Sequence, residues 1–312
     1  KEKMENHTRI NEFILVGFKS QPGSQLLLSV LFSAMYIVTV LGNVCMILVI
    51  RMDSNLHTPM YFFLENLSTL DICYSSVITP RAMLAFLLGR RSISYHGCAS
   101  QMFFFSLFGT TEAFFLAAMA YDRFTAVCNP LLYHVIMSKR LCVLLVMGSY
   151  LSGCINCSIQ TGFTFSLSFC GRREINHFFC EVAAVIHASC SDTFINELVM
   201  LAVCGSIIVG TALVVFISYG YIIITVIQMP SAESRHRAFS TCSSHMMTIC
   251  LFFGTVFFMY AQPRAKSSPD KSSTISIFYI HVIPMLNPFI YTLRNKEVKG
   301  SLKKLLKRKG FL

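Results

Sequence analysis

Ser20 to Ile50 reads SQPGSQLLLSVLFSAMYIVTVLGNVCMILVI and contains no charged residue. A helix needs about 20 apolar residues to cross the hydrocarbon of a bilayer. This run is long enough. It is also too long for the apolar core of a cleavable signal peptide, so it is expected to stay in the chain and target it to the membrane. Leu141–Gly171 and Leu198–Ala232 are equally free of charge, and Ala238–Pro263 and Ser272–Leu293 hold one histidine each. Two further apolar runs, Asn66–Pro80 and Ser92–Tyr121, are each broken by one carboxylate, Asp71 and Glu112.

Composition agrees. Of 312 residues, 54% are hydrophobic and only 13% charged, against roughly 25% charged in an average soluble domain. The predicted fold class is an all-α integral membrane protein, a seven-transmembrane helix bundle. The predicted spans are 26–50, 59–83, 98–125, 141–162, 197–226, 238–260 and 272–293. They divide the chain into a tail at 1–25, a membrane domain at 26–293 and a last segment at 294–312. In that segment Val298, Leu302, Leu305 and Leu306 share one helical face and lysines the other. This predicts a short amphipathic helix on the cytoplasmic membrane surface.

The net charge of +11 does not point to nucleic acid, because the basic residues form no single soluble face. They also divide almost evenly between the two sides, so the positive-inside rule leaves orientation open. Other features favour an extracellular N-terminus. The basic cluster Lys296–Lys309 suits an anionic cytoplasmic leaflet. Asn6-His-Thr8 is a glycosylation sequon in the tail. Of 13 cysteines, Cys98, Cys170, Cys180 and Cys190 fall on one predicted side. Such clustering fits an oxidising compartment, and four cysteines allow three pairings.

Two other functions are weighed. A transporter built of related halves would show an internal repeat, and an enzyme would show converging nucleophile, base or metal motifs. Neither HExxH nor GxSxG occurs, and no repeat is visible. The chain is therefore not expected to be an enzyme. Asp71 and Glu112 lie near mid-span, where an ionised acid is costly and tends to be paired or functional. They are candidates to share a cation or a proton.

The motifs, in order, are Gly42-Asn43, Leu56-His-Thr-Pro-Met-Tyr-Phe-Phe-Leu64, Leu67-Ser-Thr-Leu-Asp71, Met119-Ala-Tyr-Asp-Arg-Phe-Thr-Ala-Val-Cys128, Ser218-Tyr219, Ala238-Phe-Ser-Thr-Cys-Ser-Ser-His245 and Pro284-Met-Leu-Asn-Pro-Phe-Ile-Tyr291. In this order and spacing the chain resembles the olfactory receptors, a subfamily of rhodopsin-like G protein-coupled receptors, over nearly its whole length. The resemblance implies an odorant receptor on the cilia of olfactory neurons. It would bind a small volatile and activate a stimulatory heterotrimeric G protein, raising cAMP.

The resemblance also assigns residues. Asp122 and Arg123 form the activation switch, with Tyr219, His245, Asn287, Pro288 and Tyr291. Asp71, Glu112 and Asn43 form a sodium-type cation site, with Asn287 nearby; no cofactor is required. Cys98–Cys180 and Cys170–Cys190 are the implied disulfides. The first of these consumes the thiol of His177-Phe-Phe-Cys180-Glu181, so that segment is not expected to bind metal. The ligand pocket comprises Met102, Phe105, Ser106, Gly109 and Thr110 of the third span, Val203 and Ile207 of the fifth, Phe253 and Tyr260 of the sixth, and Ile277 and Ile280 of the seventh. That set is mostly apolar and predicts a neutral, hydrophobic odorant held chiefly by contact area. Two positions depart from the family pattern. Phe253 stands where Tyr is usual, and His281 where a small or aliphatic residue is usual.

Overall fold

The computed structural model describes residues 11–17, 22–261, 276–294 and 296–308. Asn6 lies outside the described residues, as does the side chain of Tyr260.

Eight helices make the frame: α1 (Pro22–Met52), α2 (Pro59–Leu88), α3 (Tyr95–Cys128), α4 (Lys139–Phe165), α5 (Phe194–Gln228), α6 (Ala232–Ala261), α7 (Ile283–Arg294) and α8 (Lys296–Arg308). Local sequence sets several ends. Thr58-Pro59 opens α2, and Gly89, at φ 63°, ends it in the left-handed region that favours glycine. Ser94 caps α3 by accepting from the Gly97 N–H at 3.1 Å. Ser138 does the same for α4 through the Leu141 N–H at 3.4 Å. A π-helical turn, Phe278–Val282, leads into α7.

The helices are apolar because lipid, not water, surrounds most of their outward faces. Leu201, Val209, Leu213, Phe216, Ile217 and Ile224 of α5 all point out of the protein. The helices α1 to α5 are each long and apolar enough to cross a membrane, and α6 qualifies as a bent pair of segments. Its two segments, Ala232–Ser240 and Cys242–Phe258, are bent by 42° to one another. The expected start of the seventh span, 272–275, is outside the described residues. Helix α3 is central and packs on α2, α4, α5 and α6, while α1 packs on α2 and α7.

At one end of the bundle lies an element the sequence reading did not contain. Strands β1 (Glu12–Leu15), β2 (Ser92–Ser94) and β3 (Glu174–Ile175) form a small sheet in the order β2-β1-β3. Strand β1 runs antiparallel to β2 and parallel to β3. Phe13 and Leu15 are buried beneath it with Ile93, Met102, Phe169 and Ile175. The Cys98–Cys180 disulfide sits in the same cluster, and Cys170–Cys190 closes the long loop beside it.

Candidate functional site

At the opposite end, α3 finishes in a compact polar network. Asp122 is fully buried, and the Arg123 side chain is largely so. One carboxylate oxygen of Asp122 accepts from Arg123 Nη2 at 2.8 Å and Nε at 3.1 Å. The other accepts from the Tyr133 hydroxyl at 2.7 Å. Tyr133 lies on a one-turn helix, Tyr133–Ile136, in the loop after α3. Burial next to Asp122 holds its phenol well above the usual value, so the hydroxyl remains a donor. The backbone of this loop turns the tyrosine back onto α3. Sequence reasoning missed Tyr133, since nothing in Pro130-Leu-Leu-Tyr133 shows that the chain reverses there.

Two more of the expected switch residues, Tyr219 and His245, form a second, separate contact. The Tyr219 hydroxyl of α5 and His245 Nδ1 of α6 are 2.8 Å apart. Both hydrogen bonds described for Arg123 run to Asp122, so in this state Tyr219 pairs with α6 and not with the arginine. Ser244 ties α6 to α7 by donating to the Ile290 carbonyl at 3.2 Å. Tyr291 is buried in the core shared by α1, α2 and α3.

Further along α7, Asn287 Nδ2 donates to Asp71 Oδ2 at 3.0 Å. Asn43 Nδ2 donates to the carbonyls of Thr39 and Pro284, at 2.9 Å and 3.1 Å. Asn43, Asp71 and Asn287, together with Glu112, each carry a buried oxygen without a hydrogen-bond partner: Asn43 Oδ1, Asp71 Oδ1, Glu112 Oε1 and Asn287 Oδ1. Unpaired buried acceptors are costly. Hard oxygen donors, two of them carboxylates, suit a hard monovalent or divalent cation. Gly42 lets α1 approach here, because a Cβ at that position would lie 2.9 Å from Pro288 Cγ.

These contacts join to a sequence match along most of the chain. A family profile described as Olfactory receptor covers residues 32–309. The chain belongs to the olfactory receptor family.

Relatives agree over most of their lengths. Human olfactory receptor OR9H1 is 57% identical over 305 residues, 98% of this chain and 99% of that protein. Mouse olfactory receptor 9S13 is 52% identical over 296 residues, 95% of this chain and 89% of that protein. Squid rhodopsin, at 16% identity, superposes with a TM-score of 0.68 over 92% of this chain and 86% of its own, which gives the seven-helix fold of G protein-coupled receptors. The receptor is thus a membrane-spanning, odorant-sensing member of that superfamily, and not an enzyme.

The expected pocket residues lie in the half of the receptor that carries the sheet and disulfides. Met102 and Ile280 are fully buried, and Phe105, Phe253 and Ile277 pack into one cluster with Ile280. Phe179, from the long loop, enters that cluster and meets Phe105 at 4.9 Å between ring centroids. The loop is held from below: Gln101 Oε1 accepts the Cys180 N–H at 3.0 Å. His281 sits in the π turn, buried, with Nε2 3.0 Å from Thr79 Oγ1 and its ring 4.4 Å from that of Phe32. These contacts tie it to α1 and α2.

One polar group in the loop is perturbed. His177 Nε2 lies 3.4 Å from Glu181 Oε2 and 3.3 Å from Ser276 Oγ. Burial raises the Glu181 carboxyl to about 7. Burial also lowers His177 to about 4.

Proposed function

We propose that this receptor binds a small, neutral, largely hydrophobic volatile in the sheet-bearing half of the bundle and activates a stimulatory, olfactory-type G protein, raising cAMP. In this reading the sheet and disulfide end faces outside, Asn6 is glycosylated, and α8 lies on the cytoplasmic leaflet of the plasma membrane. The observation that carries it is the bond between Arg123 and the buried Asp122, at the end of the same helix whose other half bears Met102, Phe105, Ser106, Gly109 and Thr110. A rigid helix linking two sites gives a physical route for coupling.

The resting state is held by Asp122 on Arg123 and by Tyr219 on His245. Odorant binding favours a state in which these contacts are released and Arg123 meets the G protein. The oxygens of Asp71, Glu112, Asn43 and Asn287 would hold a sodium ion, whose charge would offset one of the two buried carboxylates. The residues present fit such a guest, since each offers an oxygen that has no other partner.

The test is a cAMP assay in cells supplied with an olfactory-type G protein and screened against an odorant panel. Wild type should respond to some odorants, and Arg123→Ala should abolish the response at equal surface expression. A response unchanged by Arg123→Ala would refute the coupling route, and an odorant-gated current without any G protein would refute the function.

A further inference from the structure

Polar side chains inside a membrane bundle are costly unless paired, so an unpaired one invites a functional explanation. The inward face of α4 carries a run of them: Ser149, Asn156, Gln160 and Thr164 are all buried. Asn156 is only 4% exposed. Its Nδ2 donates to Thr110 Oγ1 of α3 at 2.7 Å. Its Oδ1 is buried and has no partner. One turn further toward the disulfide end, Gln160 Nε2 donates to Cys204 Sγ of α5 at 3.5 Å.

The geometry around the amide is fixed by close helix packing. A Cβ at Gly153 would lie 2.6 Å from Thr111 Oγ1 and 2.9 Å from the Leu107 carbonyl oxygen. Glycine there brings α4 hard against α3 and presses the Asn156 carboxamide onto Thr110. The amide nitrogen is thereby committed, and the oxygen is the end left over. Its surroundings are those of the proposed pocket. The amide's partner Thr110 belongs to that set. A mostly apolar pocket with one oriented acceptor selects ligands by the donor they bring.

We propose that Asn156 is the polar anchor of the odorant site, with Oδ1 accepting a hydrogen bond from a ligand hydroxyl. The ligand class is a small alcohol or phenol on an otherwise apolar skeleton. Thr110 is a positioning residue that holds the amide with its oxygen free. This inference rests on the proposed odorant function and names the ligand chemistry within it.

The test compares three odorants on one carbon skeleton, an alcohol, its methyl ether and the corresponding ketone, in the cAMP assay with surface expression measured on the same cells. One neutral hydrogen bond is worth about tenfold in potency. Wild type should therefore respond to the alcohol at about tenfold lower concentration than to the ether. Asn156→Leu puts an apolar side chain of similar size in its place and should bring that ratio to about one, by weakening the alcohol and leaving the ether unchanged. Thr110→Val frees the amide N–H and should raise the relative potency of the ketone; this second variant keeps the idea testable if Asn156→Leu fails to reach the surface. Three results would overturn the assignment: a wild type that prefers the ketone or shows no preference, an alcohol preference that survives Asn156→Leu, or equal weakening of all three odorants, which marks a packing role. Silence of surface-expressed wild type toward every odorant would instead overturn the odorant function, and this inference with it.

Discussion

Tyr133→Phe should raise signalling in the absence of odorant. The Tyr133 hydroxyl donates at 2.7 Å to a carboxylate oxygen of Asp122 that Arg123 does not use. A hydrogen bond to a charged group is worth about 1.5–3 kcal/mol. Tyr133 is only partly buried, so water replaces some of the loss and the low end, about 1.5 kcal/mol, applies. The change removes one oxygen atom at the edge of the network and leaves the Asp122–Arg123 pair in place. If the network is a resting-state contact that activation releases, the resting state alone loses this energy. That is a shift of about tenfold in the equilibrium. A receptor with about 1% of its population active would then have about 10% active. The assay is basal cAMP, normalised to surface expression and compared with Asp122→Asn. Basal signal within about twofold of wild type, with full odorant response retained, would refute the claim that the Tyr133 contact belongs to the resting state.

Three further outcomes are expected. Cys170→Ser opens the bond to Cys190, and losing a native disulfide typically costs about 2–5 kcal/mol; surface expression should fall several-fold, and unchanged expression would show that β3 and the long loop hold without it. The Glu181 carboxyl is raised to about 7 by burial, so its contribution to loop stability is complete below the ordinary acid value near 4.5 and is lost as pH rises through 7. Odorant responses should therefore weaken as external pH goes from 6 to 8, and Glu181→Gln should flatten that slope; a wild-type response independent of pH over this range would be the contrary result. At Gly42 an added Cβ would meet Pro288 Cγ at 2.9 Å. Overpacking of that kind costs about 1–3 kcal/mol, so Gly42→Val should lower the thermal stability of the purified receptor while Gly162→Ala, with open space around it, leaves it unchanged.

The legibility of this chain follows from its solvent. In lipid, a helix must satisfy its own backbone and present apolar side chains outward. Length and hydrophobicity alone therefore determined the bundle. The seven ordered motifs then determined the family, because each is a local run of residues whose identity survives without knowledge of contacts. The resemblance to that family then implied the two disulfide pairings, and the adjacency of Asp122 and Arg123 offered their ion pair directly.

Only the tertiary structure decided the rest, and in each case the cause is a contact between residues far apart in the chain. Strand β1 exists because Glu12–Leu15 meets Ser92–Ser94 and Glu174–Ile175, three segments too short to register as strands alone. Tyr133 joins Asp122 because a loop reverses. Tyr219 selects His245, 26 residues on, and His281 turns toward Thr79 and Phe32 because a π turn rotates it there. In sequence Asn156 is one polar residue inside the uncharged run Leu141–Gly171. Gly153 and Thr110 make it a fixed amide with one oxygen to spare, since hydrogen-bond saturation is a property of neighbours and not of residue type.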